Sequence, residues 1–167
     1  MKRIVSIILA FTLLASCSPQ IDHLTQTDTE ISIYPDYKDV TIPCNIAPID
    51  FAITDSAKVD ALIISYGNDS LIINVSNNCT NIGVSEWRKF LSDKSGCKID
   101  FTLCAKNAGM WTAYRPFKVE ISTDSIDKIL VYRLLPRGHE IWTQMGIYQR
   151  DLESFKQKAI YENRYGQ

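Results

Sequence analysis

The chain has 167 residues, with 18 Lys and Arg against 19 Asp and Glu for a net charge of -1, 46% apolar residues and 22% charged residues. Seven Gly and six Pro are too few for a collagen-like or low-complexity chain, and there is no basic excess of the kind that neutralises phosphates. The length suits one domain with a substantial core.

Lys2 and Arg3 form a short positive start, followed by an apolar run from Ile4 to Leu14 broken only by Ser6 and Thr12. At about 11 residues the run is shorter than the roughly 20 needed to span a bilayer, so residues 1–16 read as a signal peptide. It ends in Leu14-Ala15-Ser16-Cys17, which resembles a bacterial lipobox. That resemblance implies cleavage before Cys17, palmitate-type acylation of Cys17, and a protein tethered to a membrane as a lipoprotein of the cell envelope. The outer membrane is the expected destination. With the signal removed, 16 basic residues face 19 acidic ones, a net charge of -3. Such a body has no electrostatic attraction to anionic lipid, and the acyl chains alone would hold it.

Residues 17–30, the lipidated Cys and the polar stretch Ser18 to Glu30, read as a tether, and the folded body is expected from Ile31 to Arg150. Val40 to Pro43 is a short extended piece, and Pro43 and Pro48 bracket Cys44-Asn45-Ile46-Ala47, an extended stretch expected at a sheet edge. Ile49, Phe51 and Ile53 alternate with Asp50, Ala52 and Thr54. Val59 to Tyr66 and Ser70 to Ser76 form a hairpin around Gly67-Asn68-Asp69. The period then changes: Trp87, Phe90 and Leu91 share one face of a short helix over 85–91. Lys98 to Ala105 and Gly109 to Ile121 form a second hairpin, Ile129 to Leu135 and Glu140 to Ile147 two further strands, and Ser125-Ile126-Asp127 opens either a helical turn or a strand. Residues 151–167 are expected to be a C-terminal helix and tail, with Leu152, Phe155 and Ala159 on the apolar face. Short strands separated by turns predict a mainly β fold, an immunoglobulin-like or fibronectin-like β-sandwich with a short helical insertion.

Beyond Cys17 there are four cysteines, Cys44, Cys79, Cys97 and Cys104, enough for two disulfides in an oxidising envelope. Cys97 and Cys104 on one extended strand would lie about 23 Å apart, too far to bond each other, so Cys44 or Cys79 are the favoured partners. The competing expectation is that they remain free and pack as small apolar residues. There is no C-x2-C pair for zinc and no C-x-x-C-H for haem, and no cofactor is expected. His23 falls in the tether and His139 follows a Pro-Arg-Gly turn, and no nucleophile elbow, Walker loop or H-E-x-x-H appears. Trp111, Tyr114 and Trp142 are the aromatics that could stack on a sugar ring from an exposed sheet, although core packing is the usual role of such side chains.

Several ordered segments carry a family resemblance: Tyr34-Pro35-Asp36-Tyr37-Lys38-Asp39-Val40-Thr41-Ile42-Pro43, Asn45-Ile46-Ala47-Pro48, Trp111-Thr112-Ala113-Tyr114-Arg115-Pro116-Phe117, Ile126-Asp127, Tyr132-Arg133-Leu134-Leu135-Pro136 and Tyr148-Gln149-Arg150. Together they resemble the N-terminal region of Bacteroidetes-type envelope lipoproteins that continue into a TolB-like β-propeller and are labelled as linked to cytochrome c biogenesis. In that family a C-x-x-C-H segment and the propeller follow. Here the sequence runs to Tyr165-Gly166-Gln167, so haem binding and propeller functions are not implied. The lipobox, the tether, the strand pattern and the absent catalytic motifs, together with this resemblance to a leader domain, lead to the expectation of a non-enzymatic module that binds or positions another envelope protein, with the membrane as its second partner. The alternative is a carbohydrate-binding module with a glycan as partner. Nucleic acid is not an expected partner.

Overall fold

The computed structural model describes residue 21 and residues 24–134 and 144–164. Cys17, His23, His139 and Trp142 lie outside the described residues. The fold is mainly β, with one helix among the described residues.

A seven-stranded sheet carries the body. Its centre is β7 (Lys98–Asn107), which pairs antiparallel with β5 (Ala61–Tyr66) on one side. Along its other side β7 pairs with two strands in succession, β9 (Phe117–Ile121) at its start and β8 (Met110–Ala113) at its end. The second expected hairpin is thus split at Tyr114-Arg115-Pro116, where the chain leaves the ladder. β6 (Asp69–Asn74) closes one edge against β5 through a tight turn in which Gly67 takes a φ of 57°, open to Gly at little cost. The turn from β7 to β8 places Ala108 and Gly109 both at positive φ, the backbone that a twisted two-residue hairpin demands.

Two short strands pair parallel with the outer strands: β1 (Leu24–Gln26) with β8, and β3 (Val40–Ile42) with β9. Leu24–Gln26 lies in the stretch expected to be tether, so the sheet reaches further toward the N-terminus than the polar composition suggests. A parallel ladder supplies the backbone partners that a polar sequence can use as well as an apolar one. The stretch between Pro43 and Pro48 is a turn at Cys44-Asn45 rather than an edge strand, with the Ile46 N–H on the Pro43 carbonyl at 3.3 Å.

The core lies on one face of this sheet. Alternation turns Leu62 and Ile64 of β5, Ile99, Phe101 and Leu103 of β7, and Phe117, Val119 and Ile121 of β9 inward. A second layer covers them: the pair β2 (Ile33–Tyr34) and β4 (Ala52–Ile53), and the helix α1 (Val84–Leu91). Trp87, Phe90 and Leu91 of α1 are buried, as the i, i+3, i+4 spacing predicts. At eight residues α1 owes its stability to this packing, and the indole of Trp87 also donates to the Ile46 carbonyl at 3.0 Å. Phe101 stacks on Phe117 at 5.2 Å, with Trp87 and Phe51 edge-on to the pair.

The C-terminal helix is not formed. β11 (Gln144–Asp151) and β12 (Gln157–Arg164) are antiparallel strands and, with β10 (Ile129–Leu134), make a separate three-stranded sheet. Leu152, Phe155 and Ala159 have helical spacing, but Phe155 takes a φ of 55°, which ends any helix there and turns the chain back along β11. Ladder hydrogen bonds override the helix propensity of Lys158, Ala159 and Glu162. Ser125-Ile126-Asp127 is neither a helical turn nor a strand.

Candidate partner-binding surface

The β10–β12 sheet stands clear of the core. It meets the body at its base, through the turn between β11 and β12. The Ala47 N–H donates to the Leu152 carbonyl at 2.8 Å, and the Leu152 N–H donates to that of Lys128 at 2.7 Å. Asn45 receives the Ile126 N–H at 2.8 Å and returns a bond to the Ile126 carbonyl at 2.9 Å. Glu153 gathers three cationic or amide groups: Arg88 of α1 at 3.3 Å, Lys128 at 3.5 Å and Asn45 at 3.4 Å.

Away from this base, among the described residues, both faces of the sheet carry exposed apolar side chains. The register puts Leu130, Tyr132 and Leu134 with Tyr148 on one face, and Ile129, Val131, Ile147 and Tyr161 on the other. Val131 is 56% exposed and Tyr161 59% exposed, and Leu130, Leu134 and Ile160 are exposed as well. Tyr148 leans back over Gly146, stacks on Tyr132 at 6.1 Å and donates its hydroxyl to Glu162 at 3.1 Å. A sheet with large aliphatic side chains exposed on both faces is a surface built for contact.

The expected site residues fall elsewhere. Trp111 is buried on the outer face of the seven-stranded sheet, packed with Ala61, Cys104 and Ala113 and partly covered by Ile21 and Ile63, so it is a packing residue and not a sugar platform. Lys106 sits over its ring at 5.4 Å. Tyr114 is half-buried against the core and donates to the Lys58 carbonyl at 3.2 Å. The two side chains therefore offer no shared flat face.

All four described cysteines are free, and neither Cys97 nor Cys104 bonds Cys44 or Cys79. Their positions give the reason. Cys104 is buried mid-strand among Ala61, Trp111 and Ala113, where burial pushes its thiol up to about 11. Cys97 precedes β7 beside Tyr66, whose phenol it shifts upward by hydrogen bonding. Cys44 sits in its turn, at a cleft of about 410 Å³ with Trp87, Arg88 and Glu153, and Cys79 is exposed in the Ser76–Cys79 turn.

The sequence singled out neither the β10–β12 surface nor Lys94. Lys94 is only 3% exposed, yet its ammonium pairs with Asp93 at 2.7 Å and Asp69 at 2.9 Å and lies 4.8 Å from the Phe90 ring centre. Its Nζ is satisfied within the fold. A cleft of about 470 Å³ lies where β8 gives way to β9 and is lined by Ile63, Thr102 and Ala113 among others. Arg115 and Asp28 close one end of it with a two-point ion pair at 2.7 and 2.9 Å. Among the described residues no three His, Cys, Asp or Glu side chains converge as metal ligands would. No described helix is long and apolar enough to cross a membrane.

Compared with protein-family models, with curated proteins and with solved structures, the chain matches none of them.

Proposed function

We propose that this chain is a non-enzymatic, lipid-anchored protein of the bacterial envelope that binds or positions another envelope protein, in the manner of the leader region of TolB-like propeller lipoproteins. The single observation that carries the binding role is the β10–β12 sheet, which projects from a packed body with apolar side chains open on both faces. The membrane role rests on the start of the sequence, where Cys17 ends a lipobox-like tetrapeptide. In this reading the two-layer body, taken as an immunoglobulin- or fibronectin-like sandwich, is the support, and the C-terminal sheet is the contact surface.

Two measurements test the two halves of the reading. Cys17→Ala in the producing bacterium should move the protein from the membrane to the soluble envelope fraction. Continued partition with membranes would refute the lipid anchor. Cross-linking in intact cells followed by purification should recover one dominant envelope protein with the parent chain, and Ile147→Thr with Tyr161→Thr should abolish that adduct. An adduct that survives both substitutions would place the binding surface elsewhere.

A further inference from the structure

The chain enters the seven-stranded sheet at one end and leaves it for the three-stranded sheet at the other. β1 runs parallel to β8 with Leu24 opposite Trp111, and Trp111 lies opposite Lys106, so the N-terminal segment arrives beside the β7–β8 turn. Ile21 packs there on the outer-face cluster of Ala61, Cys104, Trp111 and Ala113. The seat of the three-stranded sheet lies at the opposite end. Ile42 and Ile121, the last residues of β3 and β9, are register partners, and the Ile121 N–H donates to the Cys97 carbonyl at 2.8 Å, just before β7 begins. The two segments then run on to the Cys44–Asp124 and Asn45–Ile126 hydrogen bonds that precede β10. From Lys98 to Lys106, β7 sets the two ends about 27 Å apart, at roughly 3.4 Å per residue.

Packing this close to the N-terminus shortens the connection to Cys17. Residues 17–30 as a free tether would span up to about 45 Å, at roughly 3.5 Å per residue. With Ile21 fixed on the sheet, the reach from Cys17 is at most about 14 Å. The surfaces near that point differ in character. Asn107-Ala108-Gly109-Met110 at the β7–β8 turn is exposed and uncharged, and Met110 is 67% exposed. Beside it, Lys58 pairs with Asp60 at 3.0 Å and Lys106 lies over the Trp111 ring, two long side chains whose ends reach toward water. Further along the outer face stand the exposed ion pairs Lys98–Glu120 at 3.4 Å and Lys118–Asp100 at 3.6 Å, charges that favour hydration over burial.

We propose that the lipid-anchored chain stands on the bilayer by its β7–β8 turn, with Met110 at headgroup level, and that the short connection to Cys17 holds the seat of the three-stranded sheet about 27 Å further out. The orientation rests on the lipid-anchor half of the reading above. One Met side chain contributes too little to hold a protein on a membrane, so the acyl chains supply the affinity and the turn supplies the footing.

The acylated full chain in vesicles of phosphatidylcholine alone tests it, a membrane that offers no anionic attraction. Benzoylphenylalanine, a photoreactive residue, is placed in turn at Met110, at Asn68 in the β5–β6 turn and at Ser125 before β10, the last two being exposed and at the far end. Irradiation should give lipid adducts at Met110 and none above background at Asn68 or Ser125, while flotation of the same samples reads the anchor separately. A flexible insert of about 20 Gly and Ser residues between Pro19 and Gln20, with a mean reach of about 25 Å, should reduce the Met110 adduct several-fold and leave flotation unchanged. Floating protein that labels equally at all three positions, or best at the far end, would overturn the orientation and leave the anchor standing, as would a Met110 adduct that the insert does not reduce. Protein that fails to float would overturn the anchor and the orientation with it.

Discussion

The N–H of Ala47 donates to the carbonyl of Leu152 at 2.8 Å and thereby joins the body to the C-terminal sheet. Around this bond sit Arg88, Lys128 and Asn45, all converging on Glu153. The seating of the projecting sheet thus includes a set of polar contacts, whose strength depends on a few directional groups at the margin of solvent.

Glu153→Ala removes the acceptor at the centre of that cluster. Because Arg88 and Lys128 are more than half exposed, the cost in global stability should stay within about 1 kcal/mol. Amide exchange should nevertheless accelerate across 129–134 and 144–164 while the β5 and β7 amides are unchanged. Uniform acceleration over the whole chain would show that the sheet is not seated by this cluster.

The Tyr148 ring lies over Gly146 and has to move to admit a side chain there. A Cβ at this position would fall 2.4 Å from the Tyr148 ring. Gly146→Val should therefore displace Tyr148 from Tyr132 and destabilise the three-stranded sheet by about 1–3 kcal/mol, as overpacking does. Nuclear magnetic resonance of the Tyr132 and Tyr148 ring protons reads the displacement directly, and unchanged ring shifts would contradict it.

Trp111→Ala should cost about 3–5 kcal/mol in urea unfolding, because the indole fills the outer-face cluster with Ala61, Cys104 and Ala113. A sugar-binding Trp would behave in the opposite way, losing glycan affinity at little cost in stability. An unfolding midpoint close to the parent value would restore the platform reading of this residue.

Thiol labelling separates the four described cysteines. Cys79 is exposed and should react first with an aromatic disulfide reagent at pH 8. Cys104 combines burial with a thiol pushed up to about 11, so it should react only on unfolding. Four equivalents released in denaturant from non-reduced, Cys17-free protein would match the structure, and two or fewer would indicate a disulfide.

Asp50 gives the stability a defined pH slope. Its carboxylate accepts the Ile82 N–H at 2.8 Å and the Thr80 hydroxyl at 3.3 Å, but desolvation outweighs both bonds and raises its pKa. The folded state then holds this proton more tightly than the unfolded state. The contribution is present below the unfolded pKa near 3.8 and is lost as pH rises through the raised folded value. Asp50→Asn keeps an acceptor for both donors and should flatten that part of the urea-midpoint profile between pH 3.5 and 6, while an unaltered slope would assign it to another group.

The mainly β class, the β5–β6 hairpin with its Gly67 turn and the buried face of α1 were all legible in the sequence, because each depends on a local period or a φ that few residues allow. Partners distant in sequence decided the rest. Leu24–Gln26 became a strand because β8 offered an open edge, Trp111 became a packing residue because β7 set Cys104 beside it, and 157–164 became a strand because β11 supplied the ladder. Helix and strand differ by little for a segment such as Lys158-Ala159-Ile160-Tyr161, and the backbone hydrogen bonds available across space settle the choice. A linear pattern records which side chains avoid water, whereas tertiary structure determines which surfaces remain uncovered, and that is why the projecting sheet emerged only from the fold.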